Sequence, residues 1–453
     1  MAVNPADSAV FGTLYGSDAM RAVFDEAAYF RRMLAVEAAL ARVQGRLGLI
    51  PAEAASAIAA AADTVTLDPN ALAASVRNVG YPVVALVHAL TQAAGPEAGR
   101  WTHWGATTQD ILDTALALQL RDALALIRAD LCATVAALAA LAEQHRGSVM
   151  AGRTHLQHAL PVTFGLKCAV WLMPLVTHVT RLDQLRPRVE LVQFGGAVGT
   201  LASLGHDGVS VMEALAAELE LAAPPLPWHV SRDGVAEAVG FLGLLCGSLS
   251  KIATDVILLA QTEVAEVSEP HAEGRGGSST MPQKRNPIAS EYILAATRGV
   301  QALVPLMQNA MAQDQERATG PWQAEALALP QACVLAHGAL RHARWLAEGL
   351  VVDPARMKRN LAASGGLIIS EAVMMGLAPH LGRGEAHHVV RHACDAALRD
   401  GMSLADALGR EPRVTGKLDA AAITRLTDPA NYLGATGAFI DRALASARAL
   451  NGG

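Results

Sequence analysis

The stretch Thr107-Thr108-Gln109-Asp110-Ile111-Leu112-Asp113-Thr114-Ala115-Leu116 opens a run that reaches Arg146 without a glycine or proline. Apolar residues recur along it: Ile111, Leu112, Leu116, Leu120, Leu124, Ile127, Leu131, Val135, Leu138 and Leu141. Steps of three and four residues put them on one side of an α-helix. Thr107 followed three residues later by Asp110 resembles a capping box, with Asp replacing the usual Glu. A helix of roughly 35 residues spans about 50 Å at 1.5 Å per residue. Such a rod needs equally long neighbours to bury it.

Further helical patterns supply them, over about 160–187, 231–268, 287–314 and 325–350. Together they predict a central bundle of long helices spanning residues 109–352. Upstream, Met20, Val23, Phe24, Phe30, Met33, Leu34, Leu40 and Val43 keep helical spacing, and Pro51 opens an Ala-rich segment. Pro82 and Gly95-Pro96 punctuate the chain between there and the long run, so residues 1–108 read as an N-terminal domain of shorter helices. After Val352-Asp353-Pro354 come Gly365-Gly366, Gly382, Gly384 and the turn Thr427-Asp428-Pro429. Residues 353–453 read as a small C-terminal helical domain. The expected fold class is all-α, in three helical domains.

Composition agrees. Hydrophobic residues make up 52% and aromatics only 4%, so Ala, Leu and Val must fill the interior, which favours packed helices over a sandwich or barrel. The apolar coverage of the long helices is wide for one subunit, which predicts a homo-oligomer. A net charge of −6 carries no basic signature for nucleic acid, though local basic groups can still bind a small acidic substrate. Five cysteines without CxxC spacing read as reduced thiols of a cytoplasmic protein. The start Met1-Ala2-Val3-Asn4-Pro5 has no signal-peptide pattern, and no long uncharged segment reads as a membrane span.

Chemistry concentrates in Gly274 to Pro287. Gly274, Gly276 and Gly277 permit unusual backbone angles and can aim amides at an anion. Lys284 adds a cation. Asn286-Pro287 reads as a helix start, with Asn as N-cap and Pro in the first turn, which would bring the positive end of a helix beside Lys284.

The string Gly277-Ser278-Ser279-Thr280-Met281-Pro282-Gln283-Lys284-Arg285-Asn286-Pro287 resembles the signature GSSxMPxKxNP of the fumarase/aspartase superfamily. Two further segments resemble that family's other motifs. One is Thr102-His103-Trp104-Gly105-Ala106-Thr107-Thr108-Gln109-Asp110, with Thr108 where Ser is commoner. The other is Gly152-Arg153-Thr154-His155-Leu156-Gln157-His158. The resemblance covers nearly the whole chain. It implies a homotetramer around a twenty-helix core, with each active site assembled from three subunits. It also implies a cofactor-independent reaction: proton transfer next to a carboxylate, through an aci-carboxylate intermediate that preorganised donors stabilise.

By the same resemblance Ser278 is the base, an alkoxide supported by loop amides and Lys284. His155 is the acid that protonates the leaving atom. Glu291, near the start of the next helix, pairs with His155 across subunits and raises its basicity. His103, Thr107, Thr108, Gln109, Thr154, Gln157, Ser279, Asn286 and Arg317 are the implied substrate-binding residues. No metal is expected, because His388 and His392 have ligand spacing but no third partner nearby. Gly195-Gly196-Ala197-Val198-Gly199 reads as a turn between helices, since no βαβ unit frames it.

Where the adenylosuccinate branch places nucleotide ligands, this chain has Asn78-Val79-Gly80-Tyr81-Pro82, Trp322 and Ala326, which argues against a nucleotide substrate. Phe194-Gly195-Gly196-Ala197, Gln315-Glu316-Arg317 and Asp428-Pro429-Ala430-Asn431-Tyr432-Leu433-Gly434 resemble the 3-carboxy-cis,cis-muconate cycloisomerase branch. The resemblance thus implies lactonisation of a small tricarboxylate. The retained His155 and Glu291 keep a second reading open: a C–N or C–O lyase, or an epimerase, acting on a substituted succinate such as iminodisuccinate. A catalytically silent binding or structural homologue is the reading from another class, and the intact Ser278, Lys284, Asn286 and His155 argue against it.

Overall fold

The computed structural model describes residues 4–271, 276–277, 280–281, 283–317 and 319–450. Among them are nineteen α-helices and two small two-stranded sheets, so the chain is all-α in class. The glycine- and proline-free run forms one helix, Thr108–Gln144, of 37 residues. Four other long helices succeed it: Phe164–Val189, Asp233–Ala260, Ile288–Ala310 and Pro321–Gly349.

Two long helices end earlier than their apolar patterns. The helix from Asp233 stops at Ala260, where Ala265 N bonds Gln261 O at 2.7 Å and Ala265 takes a φ of 47°. The chain then runs into the strand Val267–Ser268, paired antiparallel with Val351–Val352. The helix from Ile288 stops at Ala310.

A hairpin stands where sequence periodicity suggested the start of a helix at about residue 160. Val149–Thr154 pairs antiparallel with Gln157–Thr163, and the helix begins only at Phe164. Val162 and Thr163, β-branched residues suited to a pleated surface, face Met150 and Val149 across the ladder.

The chain forms two compact units, each discontinuous in sequence. The first comprises Met1–Asp130, His178–Leu249 and Tyr292–Arg341. Its core contains Met33, Leu40, Val43, Ile58, Leu86, Leu90, Ile111, Phe194 and Leu215. At its centre the guanidinium of Arg232, 1% exposed, meets two carboxylates. Nη1 and Nη2 donate to Asp113 at 2.7 and 3.0 Å, and Nε donates to Glu325 at 2.8 Å. Trp322 Nε1 and Gln109 Nε2 complete Asp113 at 3.2 and 3.0 Å, and the Trp228 ring lies 4.7 Å from the guanidinium carbon. This cluster ties the 108–144 helix to the segment before Asp233 and to the helix from Pro321.

The second unit comprises Leu131–Thr177, Ser250–Glu291 and His342–Gly453. It holds the 149–163 hairpin and a C-terminal core of Ile369, Val373, Leu377, Val389, Leu404, Val414 and Ile423. His392, the histidine with metal-ligand spacing, lies 3.2 Å from Glu411, which also accepts from Arg413.

By length and composition alone, the helices Thr108–Gln144 and Asp233–Ala260 are apolar enough to cross a membrane. In the most apolar window of each, 39% and 44% is buried inside the chain. Asp110 and Asp113, at the head of the first helix, are buried and fully engaged by protein donors.

Arg232→Met would leave Asp113 and Glu325 buried without their shared cation. Unfolding in urea should then show a loss of about 3–5 kcal/mol. Adding Asp113→Asn and Glu325→Gln to the same chain should restore part of it. An unchanged urea midpoint in the single variant would contradict the cluster's structural role.

Candidate active site

The first motif is a turn feeding the 108–144 helix, and one carboxylate organises it. Asp110, fully buried, accepts from Thr107 N at 3.0 Å, from Gly195 N and Gly196 N at 2.9 Å each, and from His229 Nε2 at 2.7 Å. The Thr107 amide is the half of the capping box that reaches back from Asp110. The hydroxyl of Thr107 instead accepts from Arg317 Nη1 at 2.9 Å, and Arg317 also donates to the carbonyls of Gly196 and Ala197. The glycines at 195–196 therefore serve as amide donors to the motif.

His103 precedes this turn at a φ of 61°, a backbone region that costs a non-glycine residue of order 1–3 kcal/mol. Its Nδ1 lies 2.6 Å from Glu37 Oε1, in the middle of the helix Glu26–Arg46. Two turns further along that helix, Gln44 Nε2 donates to Trp104 O at 2.7 Å. Burial lowers the His103 pKa, but Glu37 and then Asp110 raise it by more, so the net shift is upward. Thr107 and Thr108 are half-buried. Gln109 is fully buried, its Nε2 held by Asp113 and by His229 O at 2.9 Å.

The second motif forms the tip of the hairpin. His155 and Leu156 both have positive φ, 52° and 62°, as a two-residue turn between antiparallel strands requires. Asn and Gly usually fill such positions. A histidine and a leucine there are strained, and such strain concentrates at functional sites. Thr154, His155, Leu156, Gln157 and His158 are all exposed. Below the tip, Arg153 makes a two-pronged ion pair with Glu266, at 2.9 and 2.8 Å. Glu266 is fully buried and also accepts from Asn360 Nδ2 at 2.9 Å.

In the third motif, Gly274, Ser278, Ser279 and Pro282 lie outside the described residues. The base of the loop is closed by Asn286 N to Gly276 O at 2.9 Å and by a bridge between Gly277 and Arg285. Gly276 has a φ of 71°, and a Cβ there would sit 2.9 Å from Asn286 O. Only glycine closes this loop without displacing its partner strand. Lys284 and Asn286 line a cleft of about 820 Å³ together with Thr262, Ser268, His271 and Gly276.

The helix after the loop starts at Ile288, two residues beyond the expected N-cap Asn286. Its first amides are taken by a carboxylate from another strand end. Glu269 accepts from Ala289 N at 3.0 Å and from Ser290 N and Oγ at 2.8 Å each. Glu291 is exposed in the first turn of this helix. No hydrogen bond or ion pair joins it to His155 among the described residues. Contact within one chain is not what a dyad formed across subunits requires.

Thus Lys284 and Asn286 share one cleft, His103, Thr107 and Arg317 share one corner of the first unit, and Thr154, His155 and Gln157 share one hairpin tip. Sequence reading missed Glu37, Glu266 and Glu269. Glu37 carried a faint signal, as a lone charge within Val36-Glu37-Ala38-Ala39-Leu40. Glu266 and Glu269 carried none, because their partners are distant in sequence.

Comparison with known proteins accounts for the three motifs together. A lyase family profile matches residues 15–302, and the profile of the adenylosuccinate lyase C-terminus matches residues 366–443. The chain is 48% identical to 3-carboxy-cis,cis-muconate cycloisomerase of Pseudomonas aeruginosa, over 97% of each protein. Its structure resembles the 3-carboxy-cis,cis-muconate lactonizing enzyme of Pseudomonas putida, with TM-score 0.92 and 43% identity over 98% of this chain and 100% of the other. It also resembles a fumarate lyase from Mesorhizobium sp. BNC1, with TM-score 0.90 and 48% identity over 95% of this chain and 98% of the other. A profile that matches well over half the residues, and relatives of this identity along the whole length, settle the kinship: the chain belongs to the fumarase/aspartase superfamily.

Proposed function

We propose that this protein is a 3-carboxy-cis,cis-muconate cycloisomerase, an enzyme of aromatic catabolism. It lactonises its substrate by adding one carboxylate oxygen across a carbon–carbon double bond. The observation that carries the reading is the identity of 48% along 97% of both chains with a cycloisomerase, joined to a closed loop that presents Lys284 and Asn286 to an open cleft.

Addition of the carboxylate oxygen to one alkene carbon pushes electrons onto the carboxylate conjugated with the double bond. The resulting aci-carboxylate is more negative than the substrate, so donors fixed beforehand lower the barrier. Lys284 and Asn286 take that role. Protonation at the carbon beside the carboxylate then completes the lactone. Ser278 sits in the motif position of the group that exchanges this proton, as acid in lactonisation and as base in the reverse direction. Thr107, Thr108 and His103, at the head of the 108–144 helix, hold a second carboxylate, with the positive end of the helix behind them. Thr154, Gln157 and Ser279 complete the binding set, whereas Gln109, fully buried with its amide donated to Asp113 and His229 O, supports the turn from behind. Arg317 acts through Thr107, which it already holds.

The working unit is a homotetramer whose sites combine segments of three subunits. Two features support this. Less than half of the most apolar window in the 108–144 and 233–260 helices is buried within one chain, and the hairpin tip bearing His155 stands exposed. A second chain against each would bury both.

One observation favours a second reading, a lyase or epimerase acting on an N- or O-substituted succinate. Lactonisation supplies its own nucleophile and needs no group to protonate a departing atom. This chain nevertheless keeps His155 and Glu291, and it is as similar to a fumarate lyase as to a cycloisomerase.

Incubation with 3-carboxy-cis,cis-muconate should yield its lactone, read as loss of the diene absorbance and by NMR of the product. Release of fumarate from a substituted succinate, with carboxymuconate left intact, would replace the first reading by the second. Ser278→Ala should lower kcat by three orders of magnitude or more, on the scale of removing a principal catalytic group, about 4 kcal/mol, while the oligomer persists. Near-normal turnover in that variant would refute the proton-transfer role. If sites are shared, mixing Ser278→Ala subunits with subunits disabled in the carboxylate-binding segment by Thr107→Ala and Thr108→Ala should regenerate activity. Continued inactivity of the reassembled mixture would contradict shared sites.

A further inference from the structure

Glu37 occupies an unfavourable place for a carboxylate. It lies in the middle of the helix Glu26–Arg46, 1% exposed, among Met33, Val36, Ala38 and Leu40 of the apolar core. A buried carboxylate without a partner is heavily penalised. Its Oε1 meets His103 Nδ1 at 2.6 Å, at the short end for a charge-assisted contact. Its Oε2 is buried without a hydrogen-bond donor among the described residues. Among those residues, His103 is the one basic group paired with it.

Among the described residues His103 Nε2 makes no hydrogen bond, and the side chain keeps 20% of its surface exposed. The ring is held by more than Glu37. The turn that carries it is clamped by Gln44 to Trp104 O, and Ala106 N closes onto His103 O at 3.3 Å. That turn runs directly into Thr107 and Thr108. A histidine at positive φ, backed by a buried carboxylate, with one nitrogen open beside a helix N-terminus, is costly to build and has no packing justification.

We propose that Glu37 is a positioning residue for substrate binding. Its carboxylate accepts a hydrogen bond from His103 Nδ1–H and holds the ring so that Nε2–H is presented as a charged donor to a carboxylate of the substrate. The proposal rests on the reading of the 102–110 segment as a carboxylate-binding corner, and it adds the residue that charges and aims its histidine. Glu37 does not itself touch substrate. Asp110, facing His103 from the 108–144 helix, reinforces the positive charge but is already engaged by five other donors.

The charge on His103 sets the sign of the pH effect. A histidine whose pKa is raised stays cationic at pH values where an ordinary one is neutral, and it loses that charge as pH rises through the raised value. Binding of an anion should therefore weaken as pH rises through the His103 transition.

The test uses the full-length enzyme, 3-carboxy-cis,cis-muconate as probe, and NMR of ring-labelled histidines. The His103 signal is assigned by its loss in His103→Gln. In wild-type enzyme it should titrate above the ordinary histidine range, and in Glu37→Gln its midpoint should fall. In the same variant KM should rise about tenfold while kcat changes by less than about twofold, the pattern for loss of one charge-assisted contact in binding. Glu37→Asp should recover part of the KM. If Glu37→Gln fails to fold, His103→Gln, which leaves the core carboxylate in place, must show the same KM effect. An unchanged His103 midpoint in Glu37→Gln, or an unchanged KM in both variants, would overturn the proposal. If wild-type enzyme does not turn over carboxymuconate, the functional reading fails, and the NMR titration still decides whether Glu37 charges His103.

Discussion

Carboxylates met by protein donors, Asp110 and Glu266 fully buried and Glu269 half-buried, are the constraint on which this structure depends. Asp110 gathers the Thr107 amide, two glycine amides and His229. Glu266 takes the Arg153 fork and Asn360, and Glu269 takes the first amides of the helix from Ile288. Each carboxylate lies beneath one of the three motif segments. A buried charge is tolerable only when its hydrogen-bonding capacity is met, so each of these contacts enforces one local geometry. Removing a single donor would be felt across a whole turn.

That arrangement suits chemistry whose intermediate carries more negative charge than its substrate. Donors that must reorient during reaction contribute little, whereas donors already fixed contribute most. The chain is acidic overall, with net charge −6, yet Asp110 and Glu266, beneath two of the motifs, are fully buried and engaged by protein donors. Lys284 and Asn286 face the cleft instead. Local sign, set by which groups are buried and paired, decides what the site attracts.

Much of this was legible in the sequence. The glycine- and proline-free run after Gly105 reported the 37-residue helix, because that pattern has one economical solution. The loop signature from Gly277 to Pro287 reported the family, and the glycine just before it, Gly276, is required by its close approach to Asn286. The hairpin at 149–163 was not legible, since a two-residue turn made of His155 and Leu156 lacks the Asn-Gly chemistry that marks such turns. The anchoring role of Glu269 was hidden for another reason. Asn286-Pro287 is a good local cap, but a carboxylate 20 residues upstream reaches the helix amides first. Tertiary partners of this kind leave no trace in local spacing; Glu266 was obscured in the same way, and Glu37 showed only as a lone charge in an apolar run.

The central claim is that this site moves a proton at the carbon beside a carboxylate, with fixed geometry. Conversion of 3-carboxy-cis,cis-muconate in D2O, with NMR of the lactone, tests it most directly. The account predicts one deuterium, at the carbon next to a carboxylate and on a single face. A lactone without deuterium at that carbon, or with deuterium distributed over both faces, would contradict it.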